Sequence, residues 1–192
     1  MADDQEPARD PPIHVDWVDQ PLVGDDLPGR LGVTILPGKR GKSIRYPGLV
    51  YRRDARTDLD RLRRLGVGLL VLLVEDHELE RWGDPQLEDH AAAAGLRVRR
   101  LPIPDGAAPP SVTAVDRLLA EMTAARATED VVIACMGGVG RSGTIAACAL
   151  VAAGQTPDGA IAHLRVVRHP TAVETREQVA FVATYAQHVE NR

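Results

Sequence analysis

At 192 residues the chain is long enough for one domain that buries roughly two thirds of the surface its unfolded form exposes, so neither disulfides nor a structural metal are needed to hold it. A formal net charge of −4, with one Phe, two Trp and three Tyr, supplies neither the basic field nor the stacking surface of a nucleic-acid binder. Arginine makes up 21 of the 23 basic residues and lysine stands only at 39 and 42, a bias that reads as genome composition rather than as a binding device.

The first residues, Met-Ala-Asp-Asp-Gln-Glu-Pro, lack the basic-then-apolar pattern of a secretory signal, and no apolar run is long enough to span a membrane, so no membrane insertion is expected. Cys135 and Cys148 are thirteen positions apart, the second inside an apolar helical stretch, which disfavours pairing and suits a reducing, cytoplasmic setting. Residues 1–12 carry Pro7, Pro11 and Pro12 among charges and predict a disordered tail, leaving 13–192 as a single domain. The alternation Ile13, Val15, Trp17 predicts a half-buried strand, and Leu31–Leu36 a second, ended by Pro37-Gly38. Lys39-Arg40-Gly41-Lys42-Ser43 matches only the close of the G-x-x-x-x-G-K-[ST] nucleotide motif. Leu36 stands where its opening glycine belongs, and Pro47-Gly48 arrives where a helix should follow. The segment therefore reads as a solvated basic loop, whose charge would draw in an anionic substrate if it lay beside a phosphate site.

Thr57-Asp58 is expected to cap a helix running to Leu65, with Leu59, Leu62 and Leu65 on its buried face and Gly66 as its stop. Val67–Val74 is apolar on both sides of the pleat, as in a central strand covered on both faces. The acidic run Glu75-Asp76-His77-Glu78 after it is either a solvated strand-end loop or part of a site. A short helix over Pro85–Ala94, a strand over Leu96–Ile103 and a proline-rich loop to Pro110, with Asp105 at its tip, come next. Ser111 caps a helix bearing Val115, Leu118, Leu119 and Met122, and Val131–Ala134 reads as a buried strand. Helices are expected over Thr144–Ala153, Pro157–Arg168 and Thr175–His188. Strands alternating with helices predict an α/β fold, a central, mostly parallel sheet flanked by helices on both faces.

The chemistry concentrates where the strand at Val131 runs into Cys135-Met136-Gly137-Gly138-Val139-Gly140-Arg141-Ser142-Gly143. A glycine-rich turn between a strand end and a helix start aims several backbone N–H groups at one point and favours an anion there. Residues Met136, Gly137, Gly138, Val139 and Gly140 would bind a phosphate this way, with Arg141 holding two of its oxygens in a planar fork. The same field favours a Cys135 thiolate, placed to attack phosphorus, and Ser142 could donate a hydrogen bond to that sulfur as it leaves. A departing alkoxide or phenoxide needs a proton, and Asp105 is the candidate donor, later activating water. No cofactor or metal is called for; His163 and His169 lack a ligand pattern.

These residues resemble the cysteine-dependent protein tyrosine phosphatase superfamily, in its dual-specificity branch. Pro-Ile-Pro-Asp105-Gly followed by Cys135-Met-Gly-Gly-Val-Gly-Arg141-Ser142-Gly is similar to the kinase-associated phosphatase group, with the likeness strongest from Leu65 to Gln178. The resemblance implies Cys135 as nucleophile, Arg141 as phosphate clamp, Asp105 as general acid and Ser142 as an aid to phosphocysteine breakdown. It also suggests that Glu75 or Glu78 holds Arg141, and that Gln178, in Glu174-Thr175-Arg-Glu-Gln178, positions water unless it is a solvated surface amide. The implied function is hydrolysis of phosphotyrosine, and of phosphoserine or phosphothreonine, in a phosphorylated protein or peptide. A lipid or small-molecule phosphate substrate, and a catalytically silent phospho-binding module, are the alternatives. One departure stands out: the superfamily usually has His immediately before the nucleophile, and this chain has Ala134.

Overall fold

A computed structural model describes residues 10–18 and 27–191. Strands β1 (Asp16–Val18), β2 (Leu31–Ile35), β5 (Val67–Leu72), β6 (Arg97–Arg100) and β7 (Asp130–Cys135) form one sheet in the order β1-β2-β7-β5-β6. Only the β1–β2 pair is antiparallel. Every residue of β5 and β7 is buried, so both faces of the middle of the sheet are covered, as their unbroken apolar runs require. A separate hairpin, β3 (Arg40–Lys42) with β4 (Val50–Arg52), replaces the loop expected at Lys39–Ser43.

Seven helices occur among the described residues: α1 (Ala55–Arg64), α2 (Asp76–Trp82), α3 (Leu87–Ala93), α4 (Val112–Arg126), α5 (Arg141–Ala152), α6 (Pro157–Val167) and α7 (Arg176–Glu190). Helix α5 is buried almost all round, which its Ala, Ile, Leu and Val content permits, and it packs against β7, α6 and α7. It therefore has nowhere to shift, and the loop feeding it is fixed at both ends.

Several boundaries differ from the expectations. Helix α1 is capped by Asp54, whose carboxylate accepts from Thr57 N at 2.8 Å. Asp58 instead is buried, paired with Arg53 and accepting from Gly38 N. The acidic run at 75–78 is not a loop: it opens α2, because Glu78 turns back to accept from Glu75 N at 2.9 Å. Of the expected tail, residues 1–9 lie outside the described residues, while Asp10 and Pro11 accept hydrogen bonds from Arg52 and Arg53. The strand expected over Leu96–Ile103 is regular only over β6, although Leu101 and Ile103 still donate to Leu72 and Leu73.

Candidate active site

Strand β7 ends at Cys135 and α5 begins at Arg141, so residues 136–140 close a loop at the C-terminal edge of the sheet. Gly138 adopts a left-handed conformation with φ of 65°, and a Cβ there would lie 2.3 Å from Thr34 O on the neighbouring strand. Only glycine fits such a position. Its N–H donates to Cys135 Sγ at 3.2 Å.

Arg168, just beyond α6, donates from Nε to Gly138 O and from Nη2 to Gly137 O, each at 2.9 Å, and pairs with Asp16 through Nη1. Because a trans peptide sets its C=O and N–H in opposite directions, holding these two carbonyls turns the N–H groups of Gly138 and Val139 the other way, the first of them onto the sulfur. In an arginine-rich chain nothing local in the sequence marks Arg168.

Arg141 is 2% exposed. Its Nη1 and Nη2 donate to the two carboxylate oxygens of Glu78 at 2.6 and 2.8 Å, and Nη1 also donates to Ile103 O at 2.9 Å. Burial alone would raise the Glu78 carboxyl, but the hydrogen bonds from Arg141 and from Glu75 N outweigh it and hold the group below the usual carboxylate range. Burial likewise would lower the Arg141 guanidinium, yet Glu78, Cys135 and Asp105 raise it above its ordinary value. Of Glu75 and Glu78, Glu78 makes the contact and Glu75 serves as the residue before α2.

Asp105 brings Oδ1 within 3.0 Å of Arg141 Nη2 while remaining largely exposed. Its loop is tied to the start of α7: Thr175 Oγ1 donates to Gly106 O at 2.9 Å, Gln178 Nε2 to Ala107 O at 3.1 Å, and Glu177 accepts from Ala108 N. Gln178 is fully buried, not a surface amide, and its Oε1 accepts from Glu174 N at 2.9 Å. A Cβ on Gly140 would meet the Gln178 amide 3.1 Å away, which puts Gln178 against the phosphate-loop backbone. Beside it, Val173 holds φ of 61°, a strained setting for a β-branched residue.

Ser142 does not donate to Cys135: its Oγ is buried without a hydrogen-bond partner among the described residues. Cys148 is fully buried and burial pushes its thiol up, so it has no reactive character. Ala134, also fully buried, is flanked by Thr34 and Leu72.

A cavity of about 700 Å³ opens over Cys135, Arg141 and Asp105. Met136, Gly137, Val139 and Gly140 line it; Gly138 does not. The β3–β4 hairpin forms the facing wall through Lys39, Lys42, Ile44 and Tyr46, which places the basic segment at the site. Lys39 Nζ stands 4.1 Å over the Tyr51 ring. Its pKa is lowered to about 8 by burial and by Arg45, against the opposing pull of Cys135 and Asp105. Among the described residues no group of three or more His, Cys, Asp or Glu is arranged to hold a metal ion, and no helix is long and apolar enough to cross a membrane.

Comparison with known proteins bears on this geometry. The family described as "PTP-SAK: Swiss Army Knife protein, DSP-PTPase phosphatase domain" matches residues 49–189. Cyclin-dependent kinase inhibitor 3 of Homo sapiens is 28% identical over 199 residues, spanning 100% of this chain and 90% of that protein. A crystal structure of kinase-associated phosphatase, with its catalytic-site cysteine replaced by serine, superposes with a TM-score of 0.82 at 26% identity, covering 96% of this chain and 99% of that one. The structure of Tk-PTP in its active form does so at 0.69 and 30% identity, covering 90% and 96%.

Proposed function

The chain belongs to the dual-specificity family of cysteine-dependent protein phosphatases, and from that premise we propose how its residues divide the reaction. Cys135 Sγ attacks the phosphorus of a phosphotyrosine, or of a phosphoserine or phosphothreonine, displacing the side-chain oxygen and forming a phosphocysteine. Asp105 gives that oxygen its proton, and the resulting carboxylate then takes a proton from the water that hydrolyses the thiophosphate bond, releasing inorganic phosphate. Loop amides and Arg141 carry the charge on the phosphoryl oxygens throughout.

The observation that carries this reading is the meeting of three groups on one cavity: a cysteine at a strand end with an amide on its sulfur, a buried arginine locked by Glu78, and an exposed carboxylate 3.0 Å from that arginine. Glu78 sets the plane of Arg141 so that its free edge is presented without a search over rotamers. Gln178, seated between the acid loop and Gly140, keeps Asp105 and the phosphate loop in register. Ser142 has a hydroxyl free to turn toward sulfur when the phosphocysteine breaks. The reaction needs no metal or cofactor. Two unpaired cysteines suit a reducing cytoplasm, and the names of the human and structural relatives support a phosphorylated protein substrate, kinases among them.

Hydrolysis of para-nitrophenyl phosphate, inhibited by vanadate and indifferent to EDTA, tests the reading. Cys135→Ser should abolish turnover, and acid-quenched wild type should carry a phosphoryl adduct on Cys135 by mass spectrometry. Full activity in Cys135→Ser would sink it.

A further inference from the structure

The chain holds two lysines among its 23 basic residues, and both stand on the hairpin wall of the cavity over Cys135. Of the five arginines lining this cavity, four are already matched to carboxylates, Arg141 to Glu78, Arg53 to Asp58, Arg45 to Glu174 and Arg168 to Asp16, and the fifth, Arg40, is exposed. Lys39 and Lys42 pair with no carboxylate among the described residues. Lys39 is held by its backbone, which donates to Leu36 O and accepts from Arg53 N, so its side chain leaves a fixed point. Half-buried over Tyr51, its ammonium has lost part of its water without gaining a carboxylate at ion-pair distance, a setting in which an incoming negative group is bound more strongly than at an exposed lysine.

We propose that Lys39 and Lys42 form a second anion subsite, which takes a carboxylate or a second phosphate of a peptide substrate lying next to the phosphorylated residue in the cavity. This rests on the phosphatase reading above and adds the class of substrate. Because Lys39 is inside the cavity rather than on its outer face, the subsite admits a side chain reaching in beside the scissile group, not a flat array of headgroups. The exposed Ile44, Tyr46, Leu49 and Val50 at the hairpin tip give the rest of such a peptide an apolar rest.

The test compares kcat/KM for three peptides sharing one phosphotyrosine: one flanked by neutral residues, one by glutamates and one by a phosphoserine. Wild type should favour the acidic and doubly phosphorylated peptides by at least about fivefold, a preference that falls as salt rises. In Lys39→Gln/Lys42→Gln the ratio should fall toward one, whereas Arg52→Gln, on the neighbouring strand and outside the cavity, should leave it unchanged. Equal rates on all peptides in wild type, or a ratio that survives the double substitution, would overturn the subsite. A lysine-dependent preference for vesicles carrying a phosphoinositide over every peptide would overturn it too. Wild-type activity on para-nitrophenyl phosphate separates the two levels: its absence removes the phosphatase reading itself, while its presence beside a flat peptide profile removes only the subsite.

Discussion

Arg141 and Glu78, sixty-three residues apart in the chain, face each other fork to fork at 2.6 and 2.8 Å with almost no exposure on either side. The pair joins the start of α5 to the start of α2 beneath the cavity, so the phosphate clamp is built before any substrate arrives.

Removing one partner should be costly. Glu78→Ala leaves a buried guanidinium short of its main counter-charge, and denaturant unfolding should show a loss of about 3–5 kcal/mol. Because the folded Glu78 carboxyl is held below its unfolded value, its contribution is present above the unfolded value and fades as pH falls through the folded one. The stability gap between wild type and Glu78→Gln should therefore narrow on acidification.

Asp105 is exposed and held by its loop rather than by packing, so Asp105→Asn should fold with wild-type stability and lose activity. The expected fall in kcat is about 10²–10⁴-fold on a substrate with a poor leaving group. An aryl phosphate with an acidic leaving group should lose much less, since its oxygen needs little protonation. Stopped assays on the two substrates give the comparison.

Two adjacent glycines of the phosphate loop should respond in opposite ways. Gly137→Ala meets only Val139 at 4.0 Å and should keep most activity and vanadate affinity. Gly138→Ala forces a Cβ to within 2.3 Å of Thr34 O at a positive φ and should cost several kcal/mol in stability and most of the activity.

Arg168 positions the loop through two carbonyls and touches no reacting atom. Arg168→Met should weaken vanadate binding and lower kcat/KM by about tenfold, the worth of one or two charge-assisted hydrogen bonds. Arg168→Lys should restore little, because an ammonium cannot span Gly137 O, Gly138 O and Asp16 together.

Lys39 adds a pH signature. Burial, with a smaller contribution from Arg45 and against the pull of Cys135 and Asp105, lowers it from 10.5 to about 8. It is charged below about pH 8 and neutral above, so the preference for acidic peptides should decline as pH rises through about 8. In the same window the unfolded chain binds the extra proton, so the Lys39 contribution to stability rises with pH. Profiles of the peptide ratio and of unfolding free energy, in wild type and Lys39→Gln, check both signs.

The sequence made the strand, the glycine run, Cys135 and Arg141 legible together because their relation is local: a few residues set the turn, the amides and the helix start. The central strands were equally plain, since burial on both faces leaves an unbroken apolar run. What spacing could not show were pairings across the fold. Glu78 as partner of Arg141 came only through resemblance, alongside Glu75, and its acidic run gave no sign of the helix it opens. Arg168 was invisible among so many arginines. The hairpin at Lys39 looks like a loop in the sequence because short strands rich in charge lack the alternation that marks a buried face.

The register that pairs Ile35 with Cys135 also orders the birth of the site in time. Strand β2 leaves the ribosome a hundred residues before its partner, which at about 5–20 residues per second is a wait of roughly 5–20 s. Through that interval β2 has an unpaired edge where β7 will insert, and β5, once it has been made, has another. Insertion of β7 closes both edges at once and carries Cys135 into place in the same step, so a nascent chain short of it has no activity and two sticky edges.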